Sequence, residues 1–551
     1  MGGNNRILAI LLGVLAGLVL IVGGLSGLLL LSGGGDDADS AGDGGGSGGD
    51  GSSTAATSGR LRLGGSDPIS LDPALAGDAG SATYIVEIFS GLMTLNEDLE
   101  IVEDLAESFE VSADAKTYTF KLRSNAFFHN GRQVEASDVK CSMERAASRQ
   151  LGSSTAAAYL NDIVGAREML AGTADEISGV EVVDDRTVRI TIDQPKPYFL
   201  AKLTYPTAFV IDCQQAESNP RNWTRQPNGT GPYKLREWRL GERIVLEANT
   251  RYHLGAPKVQ QVVYELAGGS LLTRFENDEL DVAGVSVNDI DRVRDQNNPL
   301  NKLYVTTPEF SIAYIAFGTT TPPFDDVNVR RAFGLAIDRQ RIAEVTFSGM
   351  LMPATGVLQP QLPGYTPDDK TLKYDPEAAK QALAASKYAG NMPAITLTEI
   401  GGGAEGSVDT QAFIEQWKNV LGVDVQIRQS DAATFFADVD AGRLQMFSSG
   451  WIMDYPDPEN ILDLKFHSKS SLNDIEYSNP QLDGLLERAR VERDPAARIK
   501  LYQDAEKLIL GDAAILPLYF SQNHVVVNQA VQGWIEPPMI IPRLRYVSLE
   551  R

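Results

Sequence analysis

The chain has 551 residues, 43% of them hydrophobic and 22% charged, with a formal net charge of −24. That is enough chain for three or four domains of ~150 residues and a sizeable core, in a globular rather than a disordered or fibrous composition. The negative field repels nucleic acid, and two cysteines are too few for a disulfide scaffold or a cysteine-rich metal protein, so neither class is expected.

In chain order, the first feature is an apolar run at 7–31 with no charge over 25 positions. As a helix it would span ~37 Å, against ~30 Å for a bilayer core. Arg6 precedes it and Asp36, Asp37 and Asp39 follow, which predicts a short cytoplasmic end at 1–6 and a body on the extracytoplasmic side. A secretory signal would carry an apolar region of roughly 7–15 residues and a small-residue cleavage site. This run is longer and ends LLLLSGGG, so it reads as a transmembrane or signal-anchor helix, with a secreted form if residues 1–32 or so are cleaved. Residues 32–59 are almost wholly Gly, Ser, Asp, Ala and Thr and read as a disordered tether with a span of ~30 Å.

From 60 onward, strand-like and helix-like segments alternate, which predicts an α/β fold. Strands are expected at 117–122, 187–192, 243–247, 259–265, 313–317, 394–400, 423–428 and 524–527, and helices at 136–148, 327–338, 376–385, 408–421 and 494–510. Asp431 and Asp494 stand where helix N-caps belong.

Several motifs imitate chemistry. A G-x-S-x-G at 45–49 lies in the tether, without the strand and helix a nucleophile elbow needs. A G-x-G-x-x-G at 401–406 sits between a strand and a helix, but Asp424 opens the next strand instead of closing it, where it would meet a ribose; a solvent-exposed turn is the expected reading. Asp438-Val-Asp440-Ala-Gly442 starts like a calcium loop and has Ser449 where the closing Glu belongs. His129, His253, His467 and His524 show no metal-ligand spacing, so no metal and no cofactor is expected. No catalytic grouping stands out, and the chain is not expected to be an enzyme. Cys141 and Cys213 suit buried thiols or a disulfide equally.

A set of ordered blocks covers essentially all of 60–551. It runs through Leu71-Asp72-Pro73, Ile88-Phe-Ser-Gly-Leu-Met93, Leu105-Ala-Glu-Ser-Phe-Glu110, Phe128-His-Asn-Gly131, Gly229-Thr-Gly-Pro-Tyr233, Asn249-Thr-Arg-Tyr252, Val329-Arg-Arg-Ala-Phe333, Trp451-Ile-Met-Asp-Tyr-Pro-Asp-Pro458 and Ile515-Leu-Pro-Leu-Tyr519. Together these resemble the extracytoplasmic solute-binding proteins of ABC importers, in the peptide, oligopeptide and nickel group (family 5). The resemblance implies a two-lobed periplasmic-binding-protein-like fold of type II with an extra subdomain in lobe I. Lobe I would take 60–305 plus 515–551 and lobe II 306–514, joined by crossings near 304–317 and 515–527. It also implies a receptor that captures peptides in an interlobe cleft by hinge closure and delivers them to a permease and its ATPase subunits. The same fold binding a nickel chelate, sugar or opine, or serving a membrane signalling partner, is the alternative. The family's lipid-bearing cysteine is missing, since no Cys precedes 141.

By the same resemblance, Asp454 would pair with the ligand's α-amino group, with Trp451 and Tyr455 as apolar walls bearing polar edges. Read locally, Asp454 and Asp457 are also good turn formers before Pro456 and Pro458.

Overall fold

The computed structural model describes residues 59–367, 371–401 and 406–551. The expected membrane helix at 7–31, the tether up to residue 58 and the centre of the glycine turn at 402–405 lie outside the described residues. Among the described residues, no helix is long and apolar enough to cross a membrane.

Three sheets carry the architecture. The first has seven strands in the order Tyr304–Pro308, Gln522–Val527, Val282–Gly284, Arg60–Gly64, Gln261–Glu265, Arg243–Ala248 and Tyr233–Arg239. The second has six, in the order Met352–Pro353, Ile515–Phe520, Ser311–Phe317, Met446–Ile452, Ile395–Ile400 and Val425–Ser430. A four-stranded antiparallel sheet, Ala106–Val111, Thr117–Leu122, Thr187–Thr191 and Val180–Asp184, packs with the helix Ala136–Ala147 as a subdomain beside the first sheet.

Two chain crossings join the first and second sheets. One runs from Tyr304–Pro308 into Ser311–Phe317, and the other from Ile515–Phe520 into Gln522–Val527. Ser311–Phe317 is central and almost wholly buried, as expected for a strand covered on both faces. Ile312, Tyr314 and Ala316 enter one core cluster and Ile315 and Phe317 another. The boundary expected at 515 needs correction. Ile515–Phe520 hydrogen-bonds within the second sheet, so the chain returns to the first only at Ser521. The segment carries Pro517 within the strand. The sheet accommodates the proline with a register shift opposite Ala313 and Tyr314.

Helix limits follow local capping. Asp431 and Asp494 cap Ala432–Asp440 and Pro495–Gly511, accepting bonds from Thr434 N and Ala497 N. Cys141 and Cys213 form a disulfide, which ties the subdomain helix to the chain that re-enters the first sheet's core. Closing a 72-residue separation restricts the unfolded chain by an amount that typically stabilises by about 2–4 kcal/mol. In the calcium-like stretch, Asp438 is ion-paired with Arg428 and Arg443.

Candidate ligand site at the interlobe seam

Met446–Ile452 ends in the loop that carries Asp454. On one side, this strand pairs with Ser311–Phe317 along its whole length. On the other, Ile395–Ile400 reaches it only at Met446 and Phe447, so residues 448–452 present an edge unpaired among the described residues. Pro456 and Pro458 stop the strand, and the helix Glu459–Phe466 begins at once, with Asp457 Oδ1 accepting from Glu459 N at 2.9 Å.

Asn460, fully buried, fixes this corner. Its Oδ1 accepts from Trp451 Nε1 at 2.9 Å and from Asp454 N at 3.1 Å, and its Nδ2 donates to Asp454 Oδ2 at 3.2 Å. From the other lobe, the Tyr159 hydroxyl donates to the same Asp454 oxygen. Tyr159 stacks on Tyr205 at 3.7 Å and meets Tyr455 edge-on at 6.4 Å. Burial pushes the Asp454 carboxyl up to about 6, and the bonds from Tyr159 and Asn460 offset this only in part. Among the described residues no cationic side chain pairs with Asp454, and nothing donates to its Oδ1.

The acids just beyond it are all paired. Arg498 grips Asp457 with two bonds of 2.7 Å, and Arg490 grips Asp463 at 2.6 and 2.7 Å. Glu459 faces Lys202 of the opposite lobe at 3.3 Å. Lys202 also donates to Ala158 O at 2.9 Å and pairs with Asp162 at 3.0 Å. Burial alone would raise Asp162, but Lys202 and Lys196 draw it down to about 2. Burial raises Glu459, and Lys202 opposes that shift.

Of the three residues singled out from sequence, Asp454 and Trp451 lie at the seam. Trp451 is half-buried, with its edge bonded to Asn460 and Lys465 Nζ 5.3 Å from its ring. Tyr455 does not form a wall surface. It is fully buried, donates its hydroxyl to Glu459, and packs behind Tyr159. Asp457 is a turn former, as its spacing suggested, and an ion-pair partner as well. Sequence reasoning missed Tyr159, Tyr205, Lys202, Glu459 and Asn460. Asn460 has a local signal, six positions after Asp454. Tyr159 lies 295 residues from its partner and carries none.

Comparison with known proteins agrees with this layout. Residues 100–473 match the model of the bacterial extracellular solute-binding proteins, family 5, middle region. The chain is 30% identical over 495 residues to the dipeptide-binding protein DppE of Bacillus subtilis (strain 168), covering 86% of this chain and 89% of that one. It is also 30% identical over 484 residues to the probable deoxycholate-binding periplasmic protein YgiS of Escherichia coli (strain K12), covering 85% and 89%. Among solved structures, the Escherichia coli murein tripeptide binding protein MppA matches with a TM-score of 0.79 at 28% identity, over 90% of this chain and 99% of that one. The unliganded open form of MppA matches with a TM-score of 0.67 over 90% and 98% at the same identity. The chain belongs to family 5 of the bacterial extracellular solute-binding proteins.

Proposed function

We propose that this chain is the extracytoplasmic receptor of an ABC importer and that it captures peptides between its lobes. Asp454 carries the reading: it is a half-buried carboxylate at the seam with which no cationic side chain among the described residues pairs. A peptide's α-ammonium supplies that charge and donates to the unfilled Oδ1, making charge-assisted bonds. The adjoining strand edge at 448–452 offers backbone groups that pair with an extended peptide whatever its sequence. Trp451 borders the first ligand residue. Tyr159 links the occupied corner to lobe I, so that amine binding and lobe closure are coupled. The names of DppE, a dipeptide-binding protein, and MppA, a murein tripeptide binding protein, support a peptide ligand. That of YgiS points to an anionic sterol, whose carboxylate the bare Asp454 would repel.

In this reading the closed form docks on a permease whose ATPases drive uptake. The apolar run at 7–31 holds the body at the membrane, and the tether raises the local receptor concentration without new contacts. Native mass spectrometry of the gently purified chain tests the ligand class. Short-peptide masses released on denaturation are expected, and a single discrete non-peptide mass would contradict the peptide assignment.

A further inference from the structure

Beside the two covalent crossings, and away from the cleft contacts of Tyr159 and Lys202, another contact joins the lobes at the hinge. The segment Ser348, Gly349 and Met350 follows the helix Arg339–Val345 and belongs to the second sheet's lobe, held there by bonds from Gly349 N to Ala343 O and from Met350 N to Phe347 O. Its three consecutive carbonyls point the other way. Arg294 donates to Ser348 O at 2.6 Å and to Gly349 O at 3.2 Å, and His524 Nε2 meets Met350 O at 2.8 Å. Both donors belong to the first sheet's lobe. The Met350 side chain, 5% exposed, sits in that lobe's core among Leu272, Phe275, Ile290, Val293 and Val526. Ser348 and Gly349 have φ of +49° and +65°, the left-handed turn that aims the carbonyls across the seam.

His524 lies three positions beyond Ser521, where the second crossing passes between the sheets. Tyr304, on the first crossing strand, bonds to the other nitrogen of His524 at 2.5 Å. The first crossing, the second crossing and Met350 therefore lie side by side in space across the hinge. Two neighbouring strands alone permit both bending and twisting. A third contact fixed to both lobes permits bending about the line through all three and resists twist.

We propose that residues 348–350 form a third, non-covalent hinge element, anchored by Met350, Arg294 and His524, that fixes the axis about which the lobes open and close. This goes beyond the peptide reading and does not depend on the ligand.

The test is a spin-label distance distribution in the ligand-free full chain, with labels on Leu240→Cys and Val408→Cys, which are 63% and 56% exposed and lie on opposite lobes. Both native cysteines are held in the disulfide and do not compete for label. Met350→Ser should broaden the interlobe distribution clearly, and Arg294→Gln, which leaves the core intact, should broaden it by less. A control change in the second lobe's core, Leu486→Ala, should leave the width unchanged. If Met350→Ser fails to fold, Arg294→Gln carries the test. Distributions as narrow as the parent's in every folded hinge variant would overturn the proposal.

Discussion

Two acids five positions apart on one loop and helix, Asp454 and Glu459, face the same opposing lobe and meet opposite electrostatics. Glu459 finds Lys202, itself braced by Asp162, in a setting where both side chains are almost fully buried. Among the described residues Asp454 finds neutral donors, Tyr159 and Asn460. A buried charge is tolerated when paired and is a standing cost when it is not, so the first corner belongs to lobe contact and the second suits an incoming cation. The position of a carboxylate in a cleft does not by itself assign its role; the charge opposite it does.

The sharpest way to break the comparison is to unpair the paired corner. Lys202→Met removes the cation that pairs with Glu459, and breaking a buried pair by deleting one member costs about 3–5 kcal/mol. Urea unfolding should show that loss; an unchanged midpoint would mean water already solvates the pair. Next comes Asp454→Asn, which keeps shape and removes charge. Peptide affinity measured calorimetrically should fall by roughly 2–5 kcal/mol, as for truncating a buried charge pair, while the protein itself should not be destabilised.

The pH dependence separates the corners further. The Asp454 carboxyl lies above its ordinary value, at about 6, so its own contribution to stability is present below the unfolded value and is lost as pH rises through 6. Binding of an ammonium has the opposite sign. It needs the carboxylate, so affinity should weaken as pH falls through 6, with proton release on binding below that pH. Asp162, held down to about 2, contributes stability above its unfolded value that is lost only as pH falls toward 2. Affinity independent of pH between 5 and 7 would remove Asp454 from the ligand. The smallest expected effect is from Tyr159→Phe, which deletes one bond to Asp454 and should weaken closure and peptide affinity by about 1 kcal/mol.

Most of the fold was legible from periodicity and capping. The helix Val408–Leu421 and the strand Thr117–Leu122 match their expected limits, because amphipathic spacing and cap residues are local. Ile515–Phe520 was placed in lobe I by the resemblance, which carries no strand limits, and its partners in the second sheet lie roughly 200 residues away in sequence. Asp454 was reachable through the resemblance of a single block. Its electrostatic isolation was not, since that depends on where Lys202 and Tyr159 come to lie from elsewhere in the chain. Tyr455 illustrates the converse: next to a site in sequence, it points into the packing behind it.

The central claim is that Asp454 holds a free peptide amine. The most direct measurement is a double-mutant cycle by calorimetry, using the full chain and its Asp454→Asn variant against one short peptide and its N-acetylated twin. Acetylation and the substitution should each weaken binding by roughly 2–5 kcal/mol, and together by little more than either alone, because they remove the same interaction. Equal binding of the free and acetylated peptides to the parent chain, or additive losses, would contradict the assignment.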